Sequence, residues 1–291
     1  MNSTCVNSEL SIILPARNEG DSLADLIPRI KSTCPAAEII VVNDGSEDNT
    51  QSICEANQVN IIKLPRNLGN GAAIKAGARA AKGDILVFMD ADGQHDPADI
   101  PVLLRELDNG YDMAVGGRDR KSNSSILRYI GNQFYNRLAS WMTGHKITDL
   151  TSGYRAVRKN KFLEFVNILP NGFSYPTTIT MAFFRSGYAV QYIPVNVEKD
   201  RGESHISLIK DGIKFCLIIF RIAVLYSPLK IFFPASVIMF CTGVAYYLYT
   251  YISDGRFTNM GILLFITSVL IFLIGLVSEQ ITFLIYLDKK K

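Results

Sequence analysis

The chain has 291 residues, of which 48% are hydrophobic and 20% charged, and 30 basic against 27 acidic side chains give a net charge of +3. This composition excludes a disordered or collagen-like chain, and the charge is too small to indicate nucleic-acid binding. The length allows one large or two small domains. A mean hydropathy of +0.16 at ordinary charge content indicates that apolar residues are concentrated in one region.

The first 120 residues alternate between short apolar runs and helical patterns. The runs are predicted strands: Leu10–Leu14, Glu38–Val42, Asn60–Leu64, Asp84–Met89 and Tyr111–Gly116. The segments between them are predicted helices: Asp21–Lys31, Asp48–Ala56, Gly71–Lys82 and Pro97–Leu107, the last with Asp96 as its N-cap. This alternation predicts an α/β fold with a mostly parallel sheet and helices on both faces.

The pattern becomes weaker after residue 120. A helix is predicted from Ser125 to about Met142, and strands are predicted near Tyr154–Val157 and Tyr188–Val197. A further helix begins at Ile206, and its basic residues Lys210, Lys214 and Arg221 share one face. This favours a helix in the lipid headgroup layer. A hydrophobic helix that only leads into the next segment is the alternative.

Two long apolar segments follow, Leu229–Tyr251 and Met260–Leu287. Each is long enough to cross a bilayer as a helix, and a buried hairpin of a soluble domain is the alternative. The second segment contains Glu279, which we expect to face another helix or a subunit interface, because a charge in lipid is costly. Self-association through these helices is a further expectation.

Basic residues predict the orientation of the two spans. They precede or open the first span and follow the second, at Lys210, Lys214, Arg221, Lys230, Lys289, Lys290 and Lys291. The positive-inside rule therefore places both termini and the whole region before Leu229 in the cytosol. No signal peptide is expected, and the five cysteines are expected to be free thiols.

These patterns predict three parts of the chain. Residues 1–204 form a cytosolic α/β domain, residues 205–228 form interfacial helices, and residues 229–291 form a transmembrane hairpin.

Polar residues cluster after each of the first four predicted strands, where ligands bind in open α/β sheets. They occur in four segments: Pro15-Ala16-Arg17-Asn18-Glu19, Asn43-Asp44-Gly45-Ser46, Arg66-Asn67-Leu68-Gly69-Asn70-Gly71, and Asp90-Ala91-Asp92-Gly93-Gln94. We therefore expect a binding site at the carboxyl edge of the sheet.

Asp90 and Asp92 form an Asp-x-Asp motif at the end of a buried strand. Two carboxylates so close together repel each other unless a cation joins them, and they suit Mg²⁺ or Mn²⁺ that also binds substrate phosphates. Gln94 adds a neutral oxygen. A polar turn after a buried strand is the alternative. His95 is expected to be a solvated turn residue.

Gly69-x-Gly71-x-x-Ile74 imitates a dinucleotide-binding fingerprint. Its third position is Ile, it follows the third strand instead of the first, and the acid 20 residues on belongs to a carboxylate pair. A dehydrogenase is therefore disfavoured. The loop still has the composition for close approach to a nucleotide, and Lys75 is either a phosphate contact or a surface lysine.

Several arginines could bind phosphate oxygens, although each alone is more typical of a surface or ion-pair residue. Arg118 and Arg201 rank first among a set that also contains Arg128, Arg137 and Arg155.

Taken together, these motifs resemble the family 2 glycosyltransferases of GT-A fold, specifically the polyprenyl-phosphate glycosyltransferases of the dolichol-phosphate mannose synthase-like subgroup. The motifs that carry this resemblance, in chain order, are Leu14-Pro15-Ala16-Arg17-Asn18-Glu19, Val41-Val42-Asn43-Asp44-Gly45-Ser46, Asn67-Leu68-Gly69-x-Gly71, Asp90-Ala91-Asp92-x-Gln94, Asp149-x-x-Ser152-Gly153, Arg201-Gly202-Glu203-Ser204 and the two apolar spans.

The resemblance implies a role for each matched position. Residues that would bind the nucleotide-sugar are Pro15, Arg17, Glu19, Val42, Asp44, Asp90, Ala91 and Asp92. Asp92 and Gln94 would hold Mg²⁺ or Mn²⁺. Residues that would act in catalysis or on the acceptor phosphate are Asp149 as base or orienting group, Arg118, Arg128 and Arg201.

The implied reaction is transfer of a sugar from a UDP- or GDP-linked donor to polyprenyl phosphate at the cytosolic membrane face, with inversion. Asn43, Arg17 and His205 depart from the residues usual in the mannose synthases, which weakens the inference of GDP-mannose as donor. Two alternatives stay open. One is a polysaccharide synthase, although its Gln-x-x-Arg-Trp motif is absent around Trp141. The other is a non-catalytic membrane scaffold with a degenerate transferase domain.

Overall fold

The structure is a computed structural model that describes residues 10–118, 126–172, 174–195, 220, 224, 226–256 and 258–287. For residues 118, 126–132, 134, 254 and 285–287 it describes the backbone alone. The chain divides into two compact units, residues 1–205 and 206–291. The proposed interfacial helices of residues 205–228 lie almost wholly outside the described residues, so that division stays a prediction.

The first unit alternates strands and helices. Its strands are β1 (Leu10–Ala16), β2 (Glu38–Asn43), β3 (Asn60–Lys63), β4 (Ile85–Phe88), β5 (Met113–Arg118), β6 (Arg155–Arg158) and β7 (Val190–Val195). Its helices are α1 (Gly20–Thr33), α2 (Thr50–Ala56), α3 (Asn70–Ala80), α4 (Ile100–Asp108), α5 (Ile126–Thr143), α6 (Lys159–Leu163) and α7 (Tyr175–Arg185).

The strands form one seven-stranded sheet in the order β3-β2-β1-β4-β6-β5-β7. All neighbouring pairs are parallel except those of β6, which runs antiparallel to both β4 and β5. The predicted mostly parallel sheet is confirmed. Because β6 is reversed, its amino end lies at the edge where β4 and β5 end, and it brings the segment before Arg155 to that edge.

The core is built around β1, whose seven residues are all buried. Successive side chains of a strand point to opposite faces, so both faces of the sheet are covered here. Helix α1 contributes Leu23, Leu26, Ile27 and Ile30, whose spacing places them on one helical face. The apolar patterns of the sequence therefore identify this part of the core correctly.

Two features differ from the expected elements. The predicted helix Pro97–Leu107 is a 3-10 turn, Pro97–Asp99, followed by α4, although Asp96 caps it as predicted by accepting a hydrogen bond from the Ala98 amide at 3.0 Å. Helix α7 was not predicted. Residues 175–183 are all buried, so this helix carries no alternation of polar and apolar faces that a sequence pattern could reveal.

The second unit is a pair of long apolar helices, α8 (Pro228–Asp254) and α9 (Asn259–Leu287). Both have the length and composition to cross a membrane. Small residues spaced seven apart are buried along both helices, and they are Ser236, Gly243 and Thr250 on α8 and Gly261, Ser268, Gly275 and Thr282 on α9. At Gly243 and Gly275, a Cβ would meet side chains of the other helix, at 3.3 Å and 2.6 Å. The Ser268 hydroxyl donates to the Ser236 carbonyl at 2.9 Å. These small side chains let the two helices approach closely.

Glu279 has a defined partner within this hairpin. Its Oε2 accepts a hydrogen bond at 3.3 Å from the backbone amide of Leu229, in the first turn of α8. The first amides of a helix lack partners within the helix, and its positive amino end favours a carboxylate. The expected helix contact for Glu279 is confirmed, and the carboxylate caps the neighbouring helix.

Gly275→Ala is expected to destabilise the hairpin, because a Cβ at this position would lie 2.6 Å from the Phe232 Cβ. Overpacking of this kind costs about 1–3 kcal/mol. The measurement is the heat-induced loss of helical circular dichroism of the full chain in detergent. The matched control is Gly261→Ala, whose Cβ would meet nothing nearer than the Thr258 hydroxyl at 3.8 Å. Equal transitions for the two variants would contradict the close contact.

Candidate functional site

Acidic side chains gather where β1, β2 and β4 end. Glu19 follows β1, Asp48 follows β2, and Asp90 and Asp92 follow β4. Burial raises the pKa of Glu19, and the negative charges of Asp92, Asp48 and Asp90 raise it further. The four carboxylates thus share one region, in which each additional negative charge is unfavourable. Such a cluster is suited to a cation.

The loop after β1 is held by the loop after β2. The Gly20 amide donates to Asp48 Oδ2 at 2.9 Å, and the Thr50 hydroxyl donates to Asp48 Oδ1 at 2.5 Å. Burial acts to raise the pKa of Asp48, but these hydrogen bonds outweigh it and leave the pKa below its usual value. Asp48 is therefore ionised, and its hydrogen bond with the Gly20 amide holds the neighbouring residue Glu19 in place.

Asp44 organises the loop after β3. Its carboxylate, 5% exposed, accepts hydrogen bonds from the amides of Leu68 at 2.7 Å and Gly69 at 2.8 Å. The next residue, Asn70, donates to Asp90 Oδ1 at 3.3 Å. Residues 68–70 therefore connect the end of β2 to the end of β4. A carboxylate has about four acceptor positions, so Asp44 keeps capacity for a ligand.

The glycines of the Gly69-x-Gly71 motif serve packing within the protein. A Cβ at either position would overlap backbone atoms of residues 170–172, and Gly69 has a φ of 101°. Lys75 donates to the Leu169 carbonyl at 3.1 Å and to Asn171 Oδ1 at 2.5 Å, and burial lowers its pKa. These contacts give the two glycines and Lys75 a packing role, and the expected approach of this motif to a nucleotide stays a prediction.

Gly71→Ala is expected to lower the unfolding temperature of the full chain in detergent, at a cost of about 1–3 kcal/mol, because the new methyl group would collide with the Pro170 carbonyl. Gly172→Ala is the matched control from the same contact, since a Cβ there meets nothing within 4 Å. An unchanged unfolding temperature with weakened nucleotide binding would instead support the nucleotide role.

Asp149 lies at the opposite side of this edge, in the segment that leads into β6. It is 8% exposed, and its Oδ1 accepts hydrogen bonds from the Thr151 amide at 3.0 Å and the Thr151 hydroxyl at 2.9 Å. The same segment lies against the ends of β4 and β5. A Cβ at Gly153 would lie 3.0 Å from Asp90 Oδ2, and the Ser152 hydroxyl donates to the Gly116 carbonyl at 2.6 Å.

Two expectations about polar residues were wrong. His95 is not a solvated turn residue: it is 7% exposed and stacks on Tyr154 with ring centroids 4.7 Å apart. Arg155 is not on the surface, since its side chain is fully buried. In both cases the reason is the position of the start of β6, where Tyr154 and Arg155 are buried inside the protein.

The other predicted site residues are distributed as follows. Pro15, Val42 and Ala91 are buried, so a ligand would meet them mainly through their backbone, whereas Arg17 and Asp92 are exposed. Gln94 is half-buried, and its backbone amide donates to Asp92 Oδ1 at 3.0 Å. Arg201 and the side chains of Arg118 and Arg128 lie outside the described residues.

The donor set at β4 fits a divalent cation that is completed by a ligand. Among the described residues, no three His, Cys, Asp or Glu side chains come together as a closed metal site. Mg²⁺ commonly takes one or two carboxylates from the protein and the remaining oxygens from phosphates and water. Asp92, which is exposed and lies beside Gln94, offers such an open position.

The sequence comparison decides the family. Residues 11–165 match the profile of glycosyl transferase family 2, and residues 227–284 match the GtrB C-terminal hairpin. The chain belongs to glycosyl transferase family 2. The first match runs from the second residue of β1 to beyond β6 and contains every acidic residue of the candidate site, and the second contains α8 and most of α9. This family 2 glycosyltransferase therefore combines a catalytic-type domain with an apolar hairpin, as fits a membrane protein.

Two curated relatives of this chain are named for a polyprenol or its phosphate. The chain is 31% identical to an undecaprenyl-phosphate 4-deoxy-4-formamido-L-arabinose transferase of Pseudomonas fluorescens, over 69% of this chain and 61% of the relative. It is 30% identical to a polyprenol monophosphomannose synthase of Mycolicibacterium smegmatis, over 67% of this chain and 80% of the relative. The chain thus spans less than two thirds of the length of the first of these relatives.

Solved structures confirm the GT-A-like fold of this family 2 glycosyltransferase. A glucosyl-3-phosphoglycerate synthase from Mycobacterium tuberculosis, crystallised with Mn²⁺ and UDP, superposes with a TM-score of 0.58 at 19% identity, covering 74% of this chain and 78% of that one. The same synthase was also crystallised with Mg²⁺ and UDP.

The sequence analysis placed Asn70 in a site segment and Arg155 among the candidate phosphate-binding arginines, but it did not predict the contacts of Asn70 and Gly153 with Asp90 or the burial of Arg155. Asn70 and Gly153 both lie against Asp90, but they are 20 and 63 positions away from it in the chain. Gly153 was named only as part of a family motif. Its lack of a side chain is the one signal in the sequence that a close approach occurs there.

Proposed function

We propose that this family 2 glycosyltransferase transfers a sugar from a UDP- or GDP-linked donor to the phosphate of an undecaprenyl- or dolichyl-type polyprenyl phosphate. The observation that carries the proposal is the cluster of Glu19, Asp48, Asp90 and Asp92 at one edge of the sheet, in a chain that also contains an apolar hairpin. An acidic cluster suits a diphosphate held through a cation. The polyprenyl-phosphate names of the relatives support the acceptor.

The donor would occupy the carboxyl edge of β1, β2 and β4. Residues assigned to nucleotide-sugar binding are Pro15, Arg17, Glu19, Val42, Asp44, Asp90, Ala91 and Asp92. Asp92 with Gln94 would hold Mg²⁺ or Mn²⁺, and the bound cation would neutralise charge on the departing diphosphate. The hydrogen bonds of Asp44 and Asp48 to neighbouring loops hold this surface in place before the donor arrives.

The acceptor phosphate would attack the anomeric carbon in line with the departing diphosphate. One of its oxygens forms the new C–O bond, the bond to the diphosphate breaks, and the configuration inverts. The second pKa of a phosphate monoester is about 6, so the acceptor is mostly dianionic at neutral pH and needs little help from a base. Asp149 would orient the acceptor or accept the remaining proton, and Arg118, Arg128 and Arg201 would bind phosphate groups.

The proposed location is the cytosolic face of a membrane, with two spans and both termini in the cytosol. The distribution of lysine and arginine around α8 and α9 supports this orientation. The small residues of the two helices are used within the hairpin. Self-association would therefore use their outward-facing apolar surfaces.

The test is to incubate the purified full chain with Mn²⁺, polyprenyl phosphate and a panel of UDP- and GDP-sugars. The lipid products are then identified by mass spectrometry. We expect one lipid phosphate to gain a single sugar from one donor, and EDTA to prevent the gain. Absence of product with every donor would favour the non-catalytic scaffold. Products with many sugars would favour a polysaccharide synthase.

A further inference from the structure

Arg155 is an arginine enclosed in the interior of the first unit. Its side chain is 0% exposed, and it lies on β6 between β4 and β5. A guanidinium stays charged in proteins, and burying a charge is costly unless hydrogen bonds compensate for it. An apolar residue would pack in the sheet equally well. The contacts of Arg155 must therefore explain why an arginine lies at this position.

The guanidinium joins two parts of the chain. On one side it donates to the Pro176 carbonyl and to the Thr180 hydroxyl of α7, both at 3.2 Å, and its carbon lies 5.9 Å from the centre of the Tyr175 ring. On the other side it donates to the carbonyl of Ser152. Its Nε has no hydrogen-bond partner among the described residues.

Ser152 belongs to the segment that carries the second half of the candidate site. Its hydroxyl is bound to the Gly116 carbonyl at the end of β5, Gly153 lies against Asp90, and Asp149 begins the same segment. The acids whose charges act on Arg155 are Asp149 and Asp90. The phenols of Tyr175 and Tyr192 also surround it, and burial raises the pKa of both, so they stay neutral.

We propose that Arg155 is a positioning residue for sugar transfer: by tying Ser152 to α7 from inside the protein, it fixes residues 149–153 and thereby the placement of Asp149 opposite Asp90. The proposal rests on the proposed function, because that function assigns the acceptor phosphate to Asp149 and the nucleotide-sugar to Asp90. Lysine could not replace the guanidinium, since its compact ammonium lacks the planar fork of donors that reaches Ser152 and α7 together.

The experiment compares Arg155→Lys with Arg158→Lys in the full chain. Arg158 lies on the same strand and donates to the Leu107 carbonyl at 2.9 Å, away from the acidic cluster. We expect Arg155→Lys to lower kcat by about 10²-fold, as a displacement of about 1 Å at a reacting group does, with the KM for the donor changed less than threefold. Arg158→Lys is expected to stay within about twofold of the unmodified chain in both constants.

A second readout separates positioning from a general structural defect. Arg155→Met removes the positive charge, which raises the pKa of Asp149, so the acid limb of the pH profile of kcat/KM should move to higher pH. Arg155→Lys keeps the charge and should leave the limb in place. A structural defect would lower the amount of active protein but leave the acid limb of the kcat/KM profile at the same pH.

The outcomes decide between the possibilities. An active unmodified chain with Arg155→Lys indistinguishable from Arg158→Lys would overturn the positioning role and leave the proposed function intact. An inactive unmodified chain would refute the proposed function and this inference with it. If neither Arg155 variant folds, Thr180→Val removes one acceptor of the guanidinium while keeping Arg155. A severalfold fall in its kcat supports the proposal, and unchanged kcat overturns it.

Discussion

Asp92→Asn is expected to reduce Mn²⁺-dependent sugar transfer by about 10³-fold, measured as lipid-linked product formed per minute. Asp92 is exposed at the end of β4, next to Gln94 and among three further acids. Neutralising the diphosphate through a bound cation is worth several kcal/mol in the transition state, and each 1.36 kcal/mol is about tenfold in rate. An amide keeps the size of the side chain but loses the charge that holds the cation.

Asp84→Asn is the matched control, because Asp84 is exposed immediately before the amino end of the same strand. It should leave the rate unchanged. Mn²⁺ with UDP should also raise the unfolding temperature of the unmodified chain and of Asp84→Asn, but not that of Asp92→Asn, since a ligand of the folded state stabilises it. Metal-dependent transfer that survives in Asp92→Asn would place the cation elsewhere.

Asp149→Asn is expected to lower kcat by about 10²-fold, the lower end of the usual contribution of a positioned acid or base, because the acceptor phosphate is mostly dianionic at neutral pH. The KM for the donor should change less than threefold. The amide oxygen can still accept the two hydrogen bonds from Thr151, so the local fold should persist. The loss then reports the charge of Asp149. Steady-state kinetics with saturating polyprenyl phosphate give the two constants.

Thr151→Val is the companion variant for Asp149. It removes the hydroxyl donor and leaves the amide donor, so Asp149 keeps one of these two hydrogen bonds. We expect its kcat to fall by no more than about tenfold, the order of one net hydrogen bond. If Asp149→Asn retained more than half of the normal turnover, neither a base nor an orienting role would be tenable.

The donor half of the fold was predictable from the sequence for a physical reason. From β1 to β4, each strand contains a short apolar run and a helical pattern follows within a few residues, so local pattern and tertiary position agree. The polar residues after these runs were therefore assigned to the correct edge of the sheet. The differences are small there: β1 extends to Ala16 and α2 begins at Thr50, since loop residues continue the backbone pairing or delay the first helical turn.

The second half was less predictable, because its elements depend on contacts distant in sequence. The direction of β6 follows from pairing with β4 and β5, which no run of four residues encodes. The burial of His95 depends on Tyr154, and the use of Gly71 depends on Pro170. A lone arginine in a sequence also gives no sign that its partners are the Pro176 carbonyl and the Thr180 hydroxyl of a distant helix, as those of Arg155 are.

The hydrogen bond from the Leu229 amide to Glu279 has a consequence for how the two apolar helices can slide. A shift of α9 by one residue would rotate its side chains by about 100° around the helix axis, and it would separate the Glu279 carboxylate from the Leu229 amide. It would also break the hydrogen bond from Ser268 to Ser236. These two contacts together favour one alignment of α8 with α9, and positions that make no contact between the two helices can vary in sequence without changing it.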